Sequence, residues 1–407
     1  LADGFGSAMA LSTRPGIDWW LVLGSLGLAA ILPRYLQSDR VSFLYAMFLL
    51  PLAASFKYAF ARADVDHMWT FVEMVTCFFL LILIAAPRTK RLLLPVMATS
   101  VVLLIVNIRL VGAGIAEHRE FFDRLFLPRA WHQGYFNYSI ATGGFADYRA
   151  DLVWQSGEFT KENRLPADFR NLIGSRTVDT YPWETSYIYA NGLRWLPRPV
   201  FQSYLAYTPW LDRQNAAHFA SDRGPDFILW EREHWGGELG SIDDRYLLND
   251  EPMTILTLMR HYRIVALHPR VAVLRRADRP LIGPEHSLWT EHTRWNEWIN
   301  VPPNADGILR AKISIGRQVL GRLKRLFYRE DEVFIEYGLT DGRGLKYRLV
   351  PDQMGSGVWV NPLLTTLSPR YLGDRVVRIR LTHSPADFFE PDLRIEWVLY
   401  PFDRTSD

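Results

Sequence analysis

Residues 176–230 read RTVDTYPWETSYIYANGLRWLPRPVFQSYLAYTPWLDRQNAAHFASDRGPDFILW, and this stretch decides the reading of the chain. Three short β-like runs alternate with two helix-like runs. Residues 175–179 form the first strand. Pro182 suits the first turn of a helix, and Asn191–Gly192 suits its C-terminal cap. Residues 199–204 (PVFQSY) read as the second strand. Thr208 then serves as an N-cap and Pro209 as a first-turn proline for PWLDRQNAAHFAS. Residues 226–230 are the third strand. Asp250 and Pro252 open a further helix, and YRIVALHPRVAVLRR (262–276) reads as a hairpin. Strands alternating with helices predict an α/β domain with a mostly parallel sheet over residues 169–280.

From residue 281 to 407 the period changes to two. Val333, Ile335, Tyr337 and Leu339 alternate with charged or small residues, and Asp341–Gly342 supplies a turn. Val377, Ile379 and Leu381 repeat the alternation, as do Leu393, Ile395, Trp397 and Leu399. The pattern predicts an antiparallel β-sandwich, jelly-roll-like.

The N-terminal part differs in character. Apolar runs at 17–36, 41–59, 68–86 and 92–111 each approach the ~20 residues that a helix needs to cross ~30 Å of hydrocarbon. Residues 1–115 are therefore predicted as four transmembrane helices, with the lipid bilayer as a partner. The loop PRTKR (87–91) carries three positive charges and no acid, which places it in the cytoplasm. Trp19, Trp20, Tyr58 and Trp69 sit near run ends as interfacial anchors. The expected location is a bacterial inner membrane, multi-pass, with the C-terminal domains in the periplasm. Residues 116–168 read as a linker. In it, HREFFDRLFLPRAWH is either an interfacial amphipathic helix or an ordinary packed one. Leu rather than Met at position 1 reads as a fragment of something longer.

A net charge of +2 over 407 residues excludes an electrostatic nucleic-acid binder. The single cysteine, Cys77, lies in an apolar run, so the C-terminal domains carry no disulfide. EREH (231–234) is not a HExxH motif, and no GxGxxG or P-loop is present. No metal ligand set is predicted, and the residues name no cofactor.

The segments KYAFARADVDHMWTFV, DTYPWETSYIYANGL, PRPVFQSYLAYTPWLDRQNA and GPDFIL resemble a group of uncharacterised bacterial multi-pass membrane proteins. Their plan is similar to that of GT-C-type glycosyltransferases, in which membrane helices precede an extracytoplasmic domain. The resemblance implies glycosyl transfer from lipid-linked sugars, with a polyprenyl-phosphate sugar or an envelope polysaccharide as partner. GT-C enzymes place a catalytic acid in the first outward loop, whereas only four apolar runs occur here.

Two sets of residues carry candidate chemistry. Lys57, Arg62, Asp64, Asp66, His67 and Glu73 surround the loop between the second and third runs. There Asp64, Asp66, His67 and Glu73 are candidate catalytic groups, because an acceptor hydroxyl needs a base. Lys57 and Arg62 are candidate phosphate holders. The ordinary reading is a solvated loop with Glu73 paired to a neighbouring helix. The second set, Asp179, Trp183, Glu184, Glu231, Glu233 and His234, follows strands of the α/β unit, where ligands bind outside carboxyl ends. Its carboxylates and imidazole could hold a metal or a sugar, although no spacing is diagnostic. Helix caps and charged loops are its ordinary reading. The aromatic residues from Tyr181 to Trp210 suit either sugar stacking or core packing. The basic stretch GRQVLGRLKRLFYRED (316–331) reads as a solvated strand face, or as a headgroup-binding surface. The two functional readings are a GT-C-like glycosyltransferase and a non-catalytic, membrane-anchored glycan-binding or scaffold protein.

Overall fold

The computed structural model describes residues 2–11, 39–62, 67, 71, 74–75, 136–233, 237–303, 306–368, 373–383 and 388–403. The apolar runs 17–36 and 92–111, nearly all of 68–86, and the segment HREFFDRLFLPRAWH lie outside the described residues. The chain divides into two compact units. One comprises Leu1–Ala8, Gln155–Arg325 and Asp331–Asp407; the other comprises Met9–Trp154 and Leu326–Glu330.

The four transmembrane helices require correction. Among the described residues no helix is long and apolar enough to cross a membrane. Following α1 (Ala2–Ala8), the run at 41–59 forms α2 (Asp39–Arg62), which contains Pro51. Ser42, Tyr45, Ser55 and Lys57 dilute its apolar character, and Pro51 removes a backbone donor. Its last turns are packed by protein. Ala59, Phe60 and Ala61 are fully buried, and the rings of Phe56, Phe60 and Phe71 lie 4.7–5.6 Å apart. The multi-pass inner-membrane location and the periplasmic orientation rested on those helices and fall with them.

Most of the remaining helices and all the strands lie, with α1, in the first of these units. Helices α3 (Phe145–Glu162) and α4 (Ala167–Ile173) lead into a five-stranded sheet. Its strands are β1 (Thr177–Tyr181), β2 (Arg194–Trp195), β3 (Phe227–Glu231), β4 (Tyr262–Leu267) and β5 (Val271–Arg276), in the order β2-β1-β3-β5-β4. The predicted mostly parallel sheet is mixed. β2, β1 and β3 are parallel, but the short turn at residues 268–270 folds β5 back antiparallel to both β4 and β3. Helices α5 (Ser186–Asn191), α6 (Pro209–Ala220) and α7 (Pro252–His261) connect these strands. Gly192 caps α5 at φ 58°, a left-handed conformation that glycine adopts without steric cost.

The strand expected at 199–204 does not form. Pro197 and Pro199 lack backbone donors, and the Asn215 side chain takes over both polar groups of Val200. Its Oδ1 accepts the Val200 N–H and its Nδ2 donates to the Val200 carbonyl, each at 2.9 Å.

The C-terminal strands are β6 (His286–Arg294), β7 (Trp298–Asn300), β8 (Gly307–Arg317), β9 (Val333–Leu339), β10 (Gly344–Leu349), β11 (Val358–Asn361), β12 (Val376–His383) and β13 (Phe389–Pro401). They form two antiparallel four-stranded sheets, β10-β9-β12-β7 and β11-β8-β13-β6. Period-two alternation sends Val333, Ile335 and Tyr337 inward, while Phe334 and Glu336 remain half-buried. The basic stretch expected as a strand face instead forms α8 (Val319–Phe327). Its cations are drawn to acids: Arg325 pairs with Asp352 at 2.7 Å, and Lys324 pairs with Asp331.

The mixed sheet and the sandwich share one hydrophobic cluster that includes Trp230, Leu248, Tyr337, Trp359 and Trp397. Polar groups cross the same seam. Asn249 Oδ1 accepts the Trp359 N–H at 2.8 Å, and Asn249 Nδ2 donates to the Tyr337 hydroxyl at 3.3 Å.

The two helices α6 and α7 are joined by a buried cap. Asp212 of α6 accepts the backbone N–H groups of Met253 and Thr254, both at 2.9 Å, and the Thr254 hydroxyl at 2.8 Å. These are first-turn donors of α7 that have no intrahelical partner. Asp212→Ala is expected to leave them unpaired and to cost about 2–4 kcal/mol. Urea unfolding of the variant checks this, with Asp212→Asn keeping part of the loss back.

Candidate active site

β1 and β3 lie side by side and parallel, in the register Tyr181 to Trp230. Their carboxyl ends therefore deliver the residues after them to one edge of the sheet. Asp179 does not reach that edge. It is fully buried within β1. Its Oδ1 accepts Trp195 Nε1 at 3.0 Å and the Thr180 N–H at 2.9 Å, and its Oδ2 accepts the Arg198 N–H at 3.1 Å. The Arg198 guanidinium stands 3.3 Å from Oδ2, donates to the carbonyls of Thr180, Pro182 and Phe201, and lies 5.0 Å from the Tyr181 ring centre. Asp179 is thus occupied by donors and holds residues 194–201 against β1.

That clamp sets the path of the next residues. Trp183 is half-buried and packs edge-on against Tyr204, with ring centres 5.6 Å apart. Glu184 Oε1 accepts the Ser186 N–H at 2.8 Å, at the start of α5. Glu231 ends β3, in register with Val271 of β5. Burial pushes the Glu231 carboxyl up to about 7, and the neighbouring Glu184 and Glu233 push the same way against Arg270. Tyr187 of α5 faces the same groups, its phenol raised to about 12 chiefly by burial. Arg270, in the β4–β5 turn, meets Glu233 at 3.1 Å and donates to the Glu162 carbonyl at 2.7 Å. Arg232 anchors the loop beyond β3 by binding Glu238 through two nitrogens, at 2.7 and 3.1 Å.

Glu184, Glu231, Glu233, Tyr187 and Arg270 therefore form one electrostatically coupled group at the carboxyl end of β1 and β3. His234, the remaining member of this set, lies outside the described residues. So do Asp64, Asp66 and Glu73 of the other set. Of the latter set's described members, Lys57 donates to the Leu326 carbonyl at 2.7 Å, Arg62 to Met9 Sδ at 3.7 Å, and His67 stacks 4.6 Å from Tyr58. They belong to the other compact unit. Arg270 is not singled out by the sequence, and Tyr187 only as one of the aromatic residues that suit sugar stacking or core packing. Arg270 follows from the hairpin, since the turn that pairs Val271 with Glu231 brings residue 270 to the end of β3. Among the described residues no group of three or more His, Cys, Asp or Glu side chains is arranged to hold a metal ion.

A carboxyl group that titrates near neutrality, with a second carboxylate and a guanidinium beside it, can take and return a proton at pH 7. It can also accept hydrogen bonds from hydroxyl groups of a ligand.

No protein-family model matches the chain, and no curated protein does. A solved structure of Pseudomonas aeruginosa AlgX is similar at 10% identity over 56% of this chain, with a TM-score of 0.21. The match spans half of that protein's length (50%). A likeness at this score assigns neither fold nor function.

The raised Glu231 carboxyl carries a pH signature. Its ordinary value is 4.5 and its folded value about 7. Below 4.5 it is protonated in both folded and unfolded chains and contributes nothing. As pH rises from 4.5 to 7 the unfolded chain releases the proton first, so this group lowers stability over that window. Glu231→Gln removes the effect. The variant is expected to match the parent at pH 4 and to exceed it at pH 8, by on the order of 1 kcal/mol after solvent screening. Thermal unfolding at both pH values checks this.

Proposed function

We propose that this chain is a glycan-handling protein in which Glu231 exchanges a proton with a sugar hydroxyl or glycosidic oxygen. Burial, helped by Glu184 and opposed by Arg270, sets the state of that proton. The observation that carries the reading is the position and titration of Glu231: half-buried, held near pH 7, and standing where parallel strands end. An uncoupled glutamate is ionised at that pH and returns a proton poorly. Trp183, half-buried, supplies an aromatic wall with a polar edge, which suits a CH-rich sugar face, whereas Tyr187 is a core ring. A lipid-linked sugar or an envelope polysaccharide remains the substrate class proposed, without the membrane-spanning architecture that first accompanied it.

Glycan recognition without chemistry is the second reading. It is favoured by Glu184, one of whose oxygens is already committed to the Ser186 N–H. In that case the carboxylates serve only as acceptors for ligand hydroxyls.

One experiment separates the two. The chain is incubated with polyprenyl-phosphate sugars and with polysaccharide fragments, and products are followed by mass spectrometry beside ligand binding. Under the catalytic reading Glu231→Gln lowers turnover about 10²-fold or more while ligand affinity holds. The pH profile of the parent should bend near 7. Turnover that survives Glu231→Gln sinks the catalytic reading, and binding without turnover by the parent leaves recognition alone.

A further inference from the structure

The outward face of the sheet β10-β9-β12-β7 carries an ordered row of side chains that the carboxylate site does not use. The register aligns Lys346 with Glu336, Glu336 with Arg380, and Arg380 with Trp298. One residue from each of the four strands thus stands in line, over three interstrand gaps of about 4.8 Å. Glu336 sits between two cations, 3.5 Å from Lys346 Nζ and 3.1 Å from Arg380 Nε.

Arg378 stands one pleat along, opposite Gly338 and Asn300. A Cβ at Gly338 would come within 2.7 Å of Arg378 Cγ. The missing side chain on β9 is therefore what lets Arg378 lie down across the sheet. Its guanidinium is 4.4 Å from the Trp298 ring centre, and that of Arg380 is 4.7 Å from it. Trp298 nevertheless keeps 39% of its surface exposed, on the edge strand. The far end of the face repeats the theme, with Lys346 Nζ 4.6 Å from the Phe334 ring centre.

Leaving aside Arg348, which is buried and paired with Asp243 and Glu332, three cations meet one anion on this face. Among the described residues no carboxylate lies within ion-pair distance of Arg378. An exposed indole flanked by two guanidiniums suits a ligand with flat apolar faces and negative charge at its rim. The ring stacks on the former, and planar guanidinium forks grip carboxylate or sulfate. We infer that this face of the β-sandwich binds an acidic polysaccharide, with Trp298 stacking on a sugar ring and Arg378 pairing with its anionic groups. Arg380 stays held by Glu336 and adds to the positive field. The site is separate from the carboxylate group at Glu231 and does not depend on it. A nucleic acid shares the charge but calls for a series of exposed stacking rings, whereas Phe334, the face's other ring, is half-buried.

The test measures retention of the full chain on immobilised polygalacturonate, with dextran as the neutral polymer and a single-stranded oligodeoxynucleotide as the competing polyanion. It reads binding alone, so its outcome is separate from any result on turnover. The parent should bind polygalacturonate, weakly retain dextran, and release the acidic polymer as salt rises. Arg378→Gln and Trp298→Ala should each weaken binding about tenfold, the loss of one charge-assisted hydrogen bond or one stacking contact. Arg394→Gln, an exposed arginine on the opposite sheet, should leave it within about twofold. Circular dichroism and thermal unfolding confirm that each variant folds. Equal retention of dextran, tighter binding of the oligonucleotide, an equal loss in Arg394→Gln, or no retention by the parent would overturn the inference.

Discussion

The buried pair Asp179–Arg198 governs the rest of the α/β architecture. Removing two charges from water costs several kcal/mol per ion, so such a pair persists only where hydrogen bonds occupy what the ion pair leaves open. Here Asp179 accepts from Trp195, Thr180 and Arg198, and Arg198 in turn donates to three carbonyls. Those carbonyls belong to the end of β1 and to the segment that returns alongside it. The pair thus sets the direction in which residues 182–184 leave the sheet. Where Glu184 stands, and hence how strongly Glu231 is coupled to it, follows from that constraint.

The carboxylates of this unit show how one chemical group takes different roles by surroundings. Asp212 is spent on the N-terminus of α7. Asp250 is fully buried against Arg245 at 3.4 Å and the Ser241 hydroxyl, with burial still raising its pKa. Glu251, also fully buried, is pushed well above the usual carboxylate range by burial and accepts from Asn215 at 2.9 Å. These three are sealed within the protein. Glu231 differs because its burial is incomplete: it is raised enough to hold a proton near neutrality and open enough to exchange it.

The sandwich contributes through its two faces. Inward, Trp359 and Trp397 join the cluster that continues beneath the mixed sheet, so the sandwich completes the core on which β3 and α7 rest. Outward, the pleat that buries Ile335 and Ile379 necessarily presents Glu336, Arg378 and Arg380 on the other side. The same alternation that makes the core therefore makes the charged face. The apolar run at 41–59 follows a different logic. In α2 the residues that pack, Ala59 to Ala61, sit beside Lys57, whose ammonium finds a carbonyl rather than a headgroup.

Local rules were enough to read much of the α/β unit from sequence. Thr208–Pro209 marks the start of α6 and Pro252 that of α7, because caps and first-turn prolines act over a few residues. The β-branched and aromatic run at 227–231 and the alternation at 333–337 are legible for the same reason. The 199–204 segment and the stretch at 316–331 were misread, since in both the outcome depended on distant partners: Asn215 in one, Asp352 in the other. Apolar length alone suggested membrane crossing, yet length cannot tell a packed helix from a lipid-facing one. The candidate site divides along the same line. That carboxylates follow β1 and β3 is written in the chain. That Asp179 is a clamp and Glu231 a titrating group is decided only by the fold, because burial and coupling depend on which strands become neighbours.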